Sequence, residues 1–112
     1  MVSIDGFRKL ALQFEESCES PHFENTSFRV KKKIFATLDI KSKTAVLKLD
    51  VINQSVFIDF DKAAIYPVKG VWGKQGWTVV DLSKVRKDIL TDALRMAYCI
   101  VAPKTHSFKY KG

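Results

Sequence analysis

Apolar residues recur at helical spacing at the start of the chain, at Ile4, Phe7, Leu10, Ala11 and Phe14. Ser3 stands where an N-cap belongs and Asp5 falls in the first turn, where the helix dipole favours an anion. The spacing predicts a helix over residues 3–15. An acidic connection is expected from Glu15 to Pro21, since proline ends any helix before it. The pattern then changes to a period of two. Residues 22–30 carry Phe23, Phe28 and Val30. Residues 33–40 place Ile34, Ala36, Leu38 and Ile40 on one face and Phe35, Thr37 and Asp39 on the other. Residues 44–50 place Ala45, Leu47 and Leu49 inward. The connections Lys31-Lys32 and Lys41-Ser42-Lys43 are short, so three antiparallel strands in a meander are predicted.

A short helix with Val56, Phe57 and Phe60 is expected over residues 52–60. Tyr66-Pro67 reads as an extended or turn dipeptide. Gly70, Gly73 and Gly76 punctuate a loop, and Trp77 to Leu82 alternate as a further strand. Ser83 is expected to cap a last helix whose apolar stripe is Val85, Ile89, Ala93, Leu94, Ala97, Ile100 and Val101, closed by Pro103. The predicted order is α-β-β-β-α-β-(β)-α. That is an α+β fold, an antiparallel β-meander sheet with helices packed on one face. No repeat or linker divides the chain, so residues 1–112 are expected to form a single domain with a basic, frayed tail from Lys104.

Composition changes this picture little. The 112 residues suffice for a core without a metal or disulfide staple. Cys18 and Cys99 are far apart and in no metal or redox spacing, so two free thiols of a reducing cytoplasm are expected, with no metal and no cofactor. The start, Met1 to Asp5, lacks a basic n-region and an apolar h-region, and no apolar run is long enough for a membrane span.

Charge changes the picture more. The net charge is +7. Residues 26–48 hold seven basic side chains against Asp39, and residues 69–87 hold five against Asp81. Lysines in turns are free to reach phosphates. They equally serve to keep hairpin edges soluble. A meander puts successive turns at opposite ends of the sheet, so Lys31 to Lys33 and Lys41 to Lys43 cannot serve one compact phosphate site. The denser cluster, Lys31 to Lys33, is the first candidate.

Gly73-Lys74-Gln75-Gly76 matches the GxxG pattern of KH domains, but a KH loop joins two helices and a strand follows here. Val68 and Gln75 exclude a P-loop, and Val71 excludes a dinucleotide fingerprint. The glycines are read as turn-forming. Trp72 and Trp77 flank them, as core residues or as stacking platforms for bases. His22 has no acid–base partner or second ligand at a telling spacing, and no paired carboxylates or nucleophile motif mark an enzyme.

The motifs Phe7-Arg8-Lys9-Leu10-Ala11-Leu12, Pro21-His22-Phe23, Ser27-Phe28-Arg29-Val30, Lys33-Ile34-Phe35-Ala36-Thr37-Leu38 and Leu47-Lys48-Leu49 come in order. They continue with Trp72-Gly73-x-x-Gly76-Trp77, Val80-Asp81-Leu82 and Ala102-Pro103-Lys104. The series resembles the MmcQ/YjbR family of small bacterial proteins, from Ile4 to about Lys104, most specifically in the WGxxGW block. The resemblance implies a non-catalytic DNA-binding protein with a "double wing" motif and a fold similar to type III secretion chaperones. It supplies no catalytic residue. From charge and loop position, Lys31, Lys32 and Lys33 are expected to contact DNA phosphates, with Arg29, Lys69, Trp72, Lys74 and Trp77 beside them. The alternative is a protein-binding module, a monomer or weak dimer, that uses an apolar surface near the WGxxGW loop. An enzyme or ligand site around His22 is the weakest expectation.

Overall fold

The computed structural model describes residues 1–22 and 24–104. The His22 side chain and the tail beyond Lys104 lie outside the described residues. Ten elements follow in chain order: α1 (Ile4–Leu12), β1 (Cys18–His22), β2 (Asn25–Val30), β3 (Lys33–Asp39), β4 (Thr44–Lys48), α2 (Val51–Phe60), β5 (Ile65–Pro67), α3 (Val71–Lys74), β6 (Trp77–Asp81) and α4 (Lys87–Val101). All strand pairs are antiparallel, in the order β1-β2-β3-β4-β6-β5. The α+β class and the antiparallel sheet are as the sequence predicts.

Ser3 caps α1 as expected, its hydroxyl accepting from the Gly6 amide at 2.9 Å. Phe7 and Ala11 turn the buried stripe of α1 onto the sheet, where Phe7 meets Phe28 edge to face at 5.5 Å. The core beneath α4 is aromatic. Tyr98 stacks on Phe14 at 4.9 Å and meets Phe35 edge-on at 5.6 Å, while its hydroxyl donates to the Glu15 carbonyl at 2.6 Å. That bond lets a tyrosine be fully buried without an orphaned hydroxyl.

Five details depart from the sequence pattern, each for a local reason. The expected acidic connection contains β1, so residues 22–30 are one arm of a hairpin. Pro21 is tolerated there because β1 is an edge strand. On β3 the pairing runs Phe28 with Ala36 and then Arg29 with Ile34, which leaves Phe35 as an extra residue in a bulge. The bulge reverses the alternation. Phe35, Ala36 and Leu38 are all buried, Ile34 turns to the opposite face, and Ile40 is exposed in the turn.

The expected glycine loop holds the one-turn helix α3. Ser83 does not cap α4. Its amide and hydroxyl both donate to the Asp81 carboxylate, at 3.0 and 2.6 Å, in the turn before it, and Arg86 occupies the N-cap position. The buried stripe of α4 is Leu90, Ala93, Leu94, Ala97 and Tyr98, so Ile89 and Ile100 sit at its margins rather than in it.

Helix α2 starts at Val51, capped by Asp50, whose carboxylate accepts from the Asn53 amide at 2.7 Å. It is anchored by a polar residue. The Gln54 amide nitrogen reaches the Gly73 carbonyl (3.0 Å), the Trp77 carbonyl (3.2 Å) and the Thr78 hydroxyl (3.2 Å). That hydroxyl donates onward to the Gly76 carbonyl at 2.8 Å, so it can only accept from Gln54. The buried amide thus ties α2, α3 and β6 together.

Candidate nucleic-acid interface

The register decides which side chains share the open face of the sheet, away from α1 and α4. One row crosses all six strands: Ser20, Ser27, Thr37, Val46, Val79, Tyr66. Arg29 pairs with Ile34 and Lys48 with Trp77 one row on. At that end of the sheet lie the Lys31-Lys32 turn and α3. The other basic turn, Lys41 to Lys43, lies at the far end of β3, as the meander predicts.

Each candidate can now be located. Arg29 is half-buried on β2, its Nε donating to the Ser27 hydroxyl at 3.0 Å. Lys31 and Lys32 form a two-residue turn between the paired residues Val30 and Lys33, with φ of +50° and +69°. A tight turn with two left-handed residues matches the twist of the strands, but it favours Asn and Gly over lysine. Lys31 pairs with Glu16 at 2.8 Å, an exposed contact of small energetic weight. Among the described residues, Lys32, Lys33, Lys69 and Lys74 are exposed and carry no ion pair. From the Lys33 strand to the start of β6 is two strand spacings, about 10 Å.

The glycines of the WGxxGW block work by close approach. A Cβ on Gly73 would lie 1.9 Å from the Val68 carbonyl oxygen, and one on Gly76 would lie 1.7 Å from that of Leu49. Gly76 also has φ of +102°, and its carbonyl accepts from the Leu49 amide at 3.0 Å. This compact turn sets Trp72 and Trp77 edge to face at 6.4 Å, with Trp72 60% exposed. Both rings line a concavity of about 460 Å³ on the open face, with Asn25, Ile34, Thr37 and Val46 among its walls.

Sequence reasoning missed several of these. Lys48 places its ammonium 5.7 Å over the Trp77 ring while donating to the Gln75 carbonyl at 2.6 Å. The alternation of residues 44–50 already turned it outward with Val46, so the signal was present. Ile34 was hidden by the bulge. Asn25 lies on a strand whose start the sequence misplaced.

Two carboxyl groups with shifted pKa serve local backbone structure. The Asn53 amide holds the Asp50 carboxyl below its usual range, and the Ser83 hydroxyl does the same for Asp81. Among the described residues no three metal-ligating side chains come together, and no helix is long and apolar enough to cross a membrane.

The fold has relatives among solved structures. Protein DR2400 of Deinococcus radiodurans, a DUF419-domain protein, superposes with a TM-score of 0.80 at 24% identity, over 98% of this chain and 88% of its own. A protein from Pseudomonas syringae gives 0.66 at 13% identity, over 89% and 99%. No curated protein matches in sequence. The family model named YjbR matches residues 12–100. That match spans most of the chain, both the hairpins and the tryptophan turn, and the chain belongs to the YjbR family.

Proposed function

We propose that the protein is a non-catalytic DNA-binding module that grips the phosphate backbone with the lysine-bearing end of its sheet. The observation that carries this reading is the company kept there. Lys32, Lys33, Lys69 and Lys74 lie at one end of the sheet, exposed and without carboxylate partners among the described residues. Lys31 stands beside them, and its exposed pair with Glu16 is weak enough for a phosphate to displace. Contacts of this kind fix position and carry no sequence information. Sequence-independent binding is therefore expected.

The test is fluorescence anisotropy with duplex DNA at several salt concentrations. Neutralising four or five phosphates gives a slope of log affinity against log salt of roughly −4. Affinity that does not change with salt would remove the reading.

A second reading rests on a different surface. The outer face of α2 exposes Val51, Ile52, Val56 and Phe60, with Ile52 at 78% and Phe60 at 67%. Contiguous exposed apolar residues of this size suit a protein partner or a second copy. Ile52→Glu with Phe60→Glu should then abolish association seen by sedimentation and leave DNA affinity unchanged. A wild-type chain that stays monomeric and captures no partner argues against this second reading.

A further inference from the structure

The two tryptophans are the only ones in the chain, and both line the same concavity. Its volume of about 460 Å³ falls within the range of small-ligand pockets, roughly 300–1,000 Å³. The rings stand 76° apart, so they form a corner. A planar group stacked on one ring meets the edge of the other, which is the arrangement aromatic quadrupoles favour. Ile34 and Val46 make the floor apolar, and Asn25 and Thr37 offer amide and hydroxyl groups.

The charge around this corner is positive. Lys48 lies over Trp77. Val68 forms part of the wall and also part of an adjoining groove lined by Lys69 and Lys74. The open-face strand carboxylates, Asp39 and Asp81, sit toward the other end of the sheet from the tryptophans, the end where Asn25 borders the concavity. Each is engaged there, Asp39 by the Lys41 and Ser42 amides and Asp81 by Ser83. A flat ring attached to a phosphate fits this arrangement. A duplex does not, because its base faces are stacked on one another and cannot enter a corner of this size.

We infer that the tryptophan corner is a stacking site for an unpaired base of single-stranded DNA, whose phosphates run on to Lys69 and Lys74. This rests on the DNA-binding reading above and adds a preference for unpaired strands. One stacked base contributes enough to favour single strand over duplex by about tenfold.

Because no tryptophan lies elsewhere, tryptophan emission, excited where tyrosine does not absorb, reports on this cavity alone. The wild-type protein is titrated with oligothymidylate, with a blunt duplex and with thymidine monophosphate at one salt concentration. Emission and the anisotropy of labelled strands are followed together. Oligothymidylate should quench emission and bind about tenfold more tightly than the duplex, which should bind without quenching. Trp72→Ala should lose that advantage over the duplex, and Trp72→Phe should retain most of it. Trp72 is largely exposed, so neither substitution threatens the core.

Equal affinity for both forms, unquenched emission with single strand, or an indifferent Trp72→Ala would each overturn the inference while leaving phosphate binding intact. Absence of binding to either DNA would overturn both. Quenching by the mononucleotide at the same concentrations as the oligomer would assign the corner to free nucleotides and overturn the single-strand proposal.

Discussion

At the scale of single residues, the chain depends on positions where only one side chain fits. Gly76 combines a left-handed backbone with a Leu49 carbonyl where a Cβ would be. Gly76→Ala should lower stability by roughly 2–4 kcal/mol in urea denaturation. Gly70 has a positive φ too, but open space around it, so an equivalent substitution there should be milder. The sequence marks both glycines alike, and only the approach of Leu49 separates them. Gln54 teaches the same point. It stands on a helix among apolar neighbours, yet it is buried and holds three acceptors from distant segments. No periodicity announces a polar residue whose partners lie about twenty positions away.

At the scale of elements, legibility followed local determinants. The start and inward face of α1 were readable from its cap and its spacing, though the helix ends at Leu12 and leaves Phe14 in the turn beyond it, and β4 was readable from its alternation. On β3 the faces of residues 36–39 were readable as well, but those of Ile34 and Phe35 were not, since the extra residue at Phe35 shifts the alternation before it. The edge strand β1 was missed because it carries Pro21 and polar residues, which suit an edge but resemble a loop.

The Lys31-Lys32 turn holds two lysines in left-handed conformations. The double substitution Lys31→Asn with Lys32→Gly should raise stability by about 1 kcal/mol in thermal melts. The same change should weaken duplex binding, so stability and affinity move in opposite directions. At the start of α2, the Asp50 carboxyl has a folded pKa below its unfolded one. Its contribution is therefore complete above the ordinary carboxylate pKa of about 4, and is lost as pH falls through the lower folded value. Asp50→Asn keeps an acceptor for the Asn53 amide but removes the charge. The variant should lose less stability on acidification than the wild type.

At the scale of the whole molecule, the fold sorts lysines that the sequence shows only as two basic stretches. The tertiary register gathers Lys31 to Lys33 with Lys69 and Lys74, and sends Lys41 and Lys43 to the opposite end. Lys32→Glu with Lys33→Glu should therefore weaken duplex binding severalfold. Lys41→Glu with Lys43→Glu, the same change in net charge, should weaken it much less. Equal losses would mean that total charge, and not a particular end, governs binding.

The strand order also leaves β1 and β5 on the outside, and each contains a proline, Pro21 and Pro67. A proline cannot offer an amide hydrogen to an incoming strand. Both margins of the sheet are thus poor templates for edge-to-edge polymerisation, so copies of the chain brought together at high concentration are not seeded into fibrils through them.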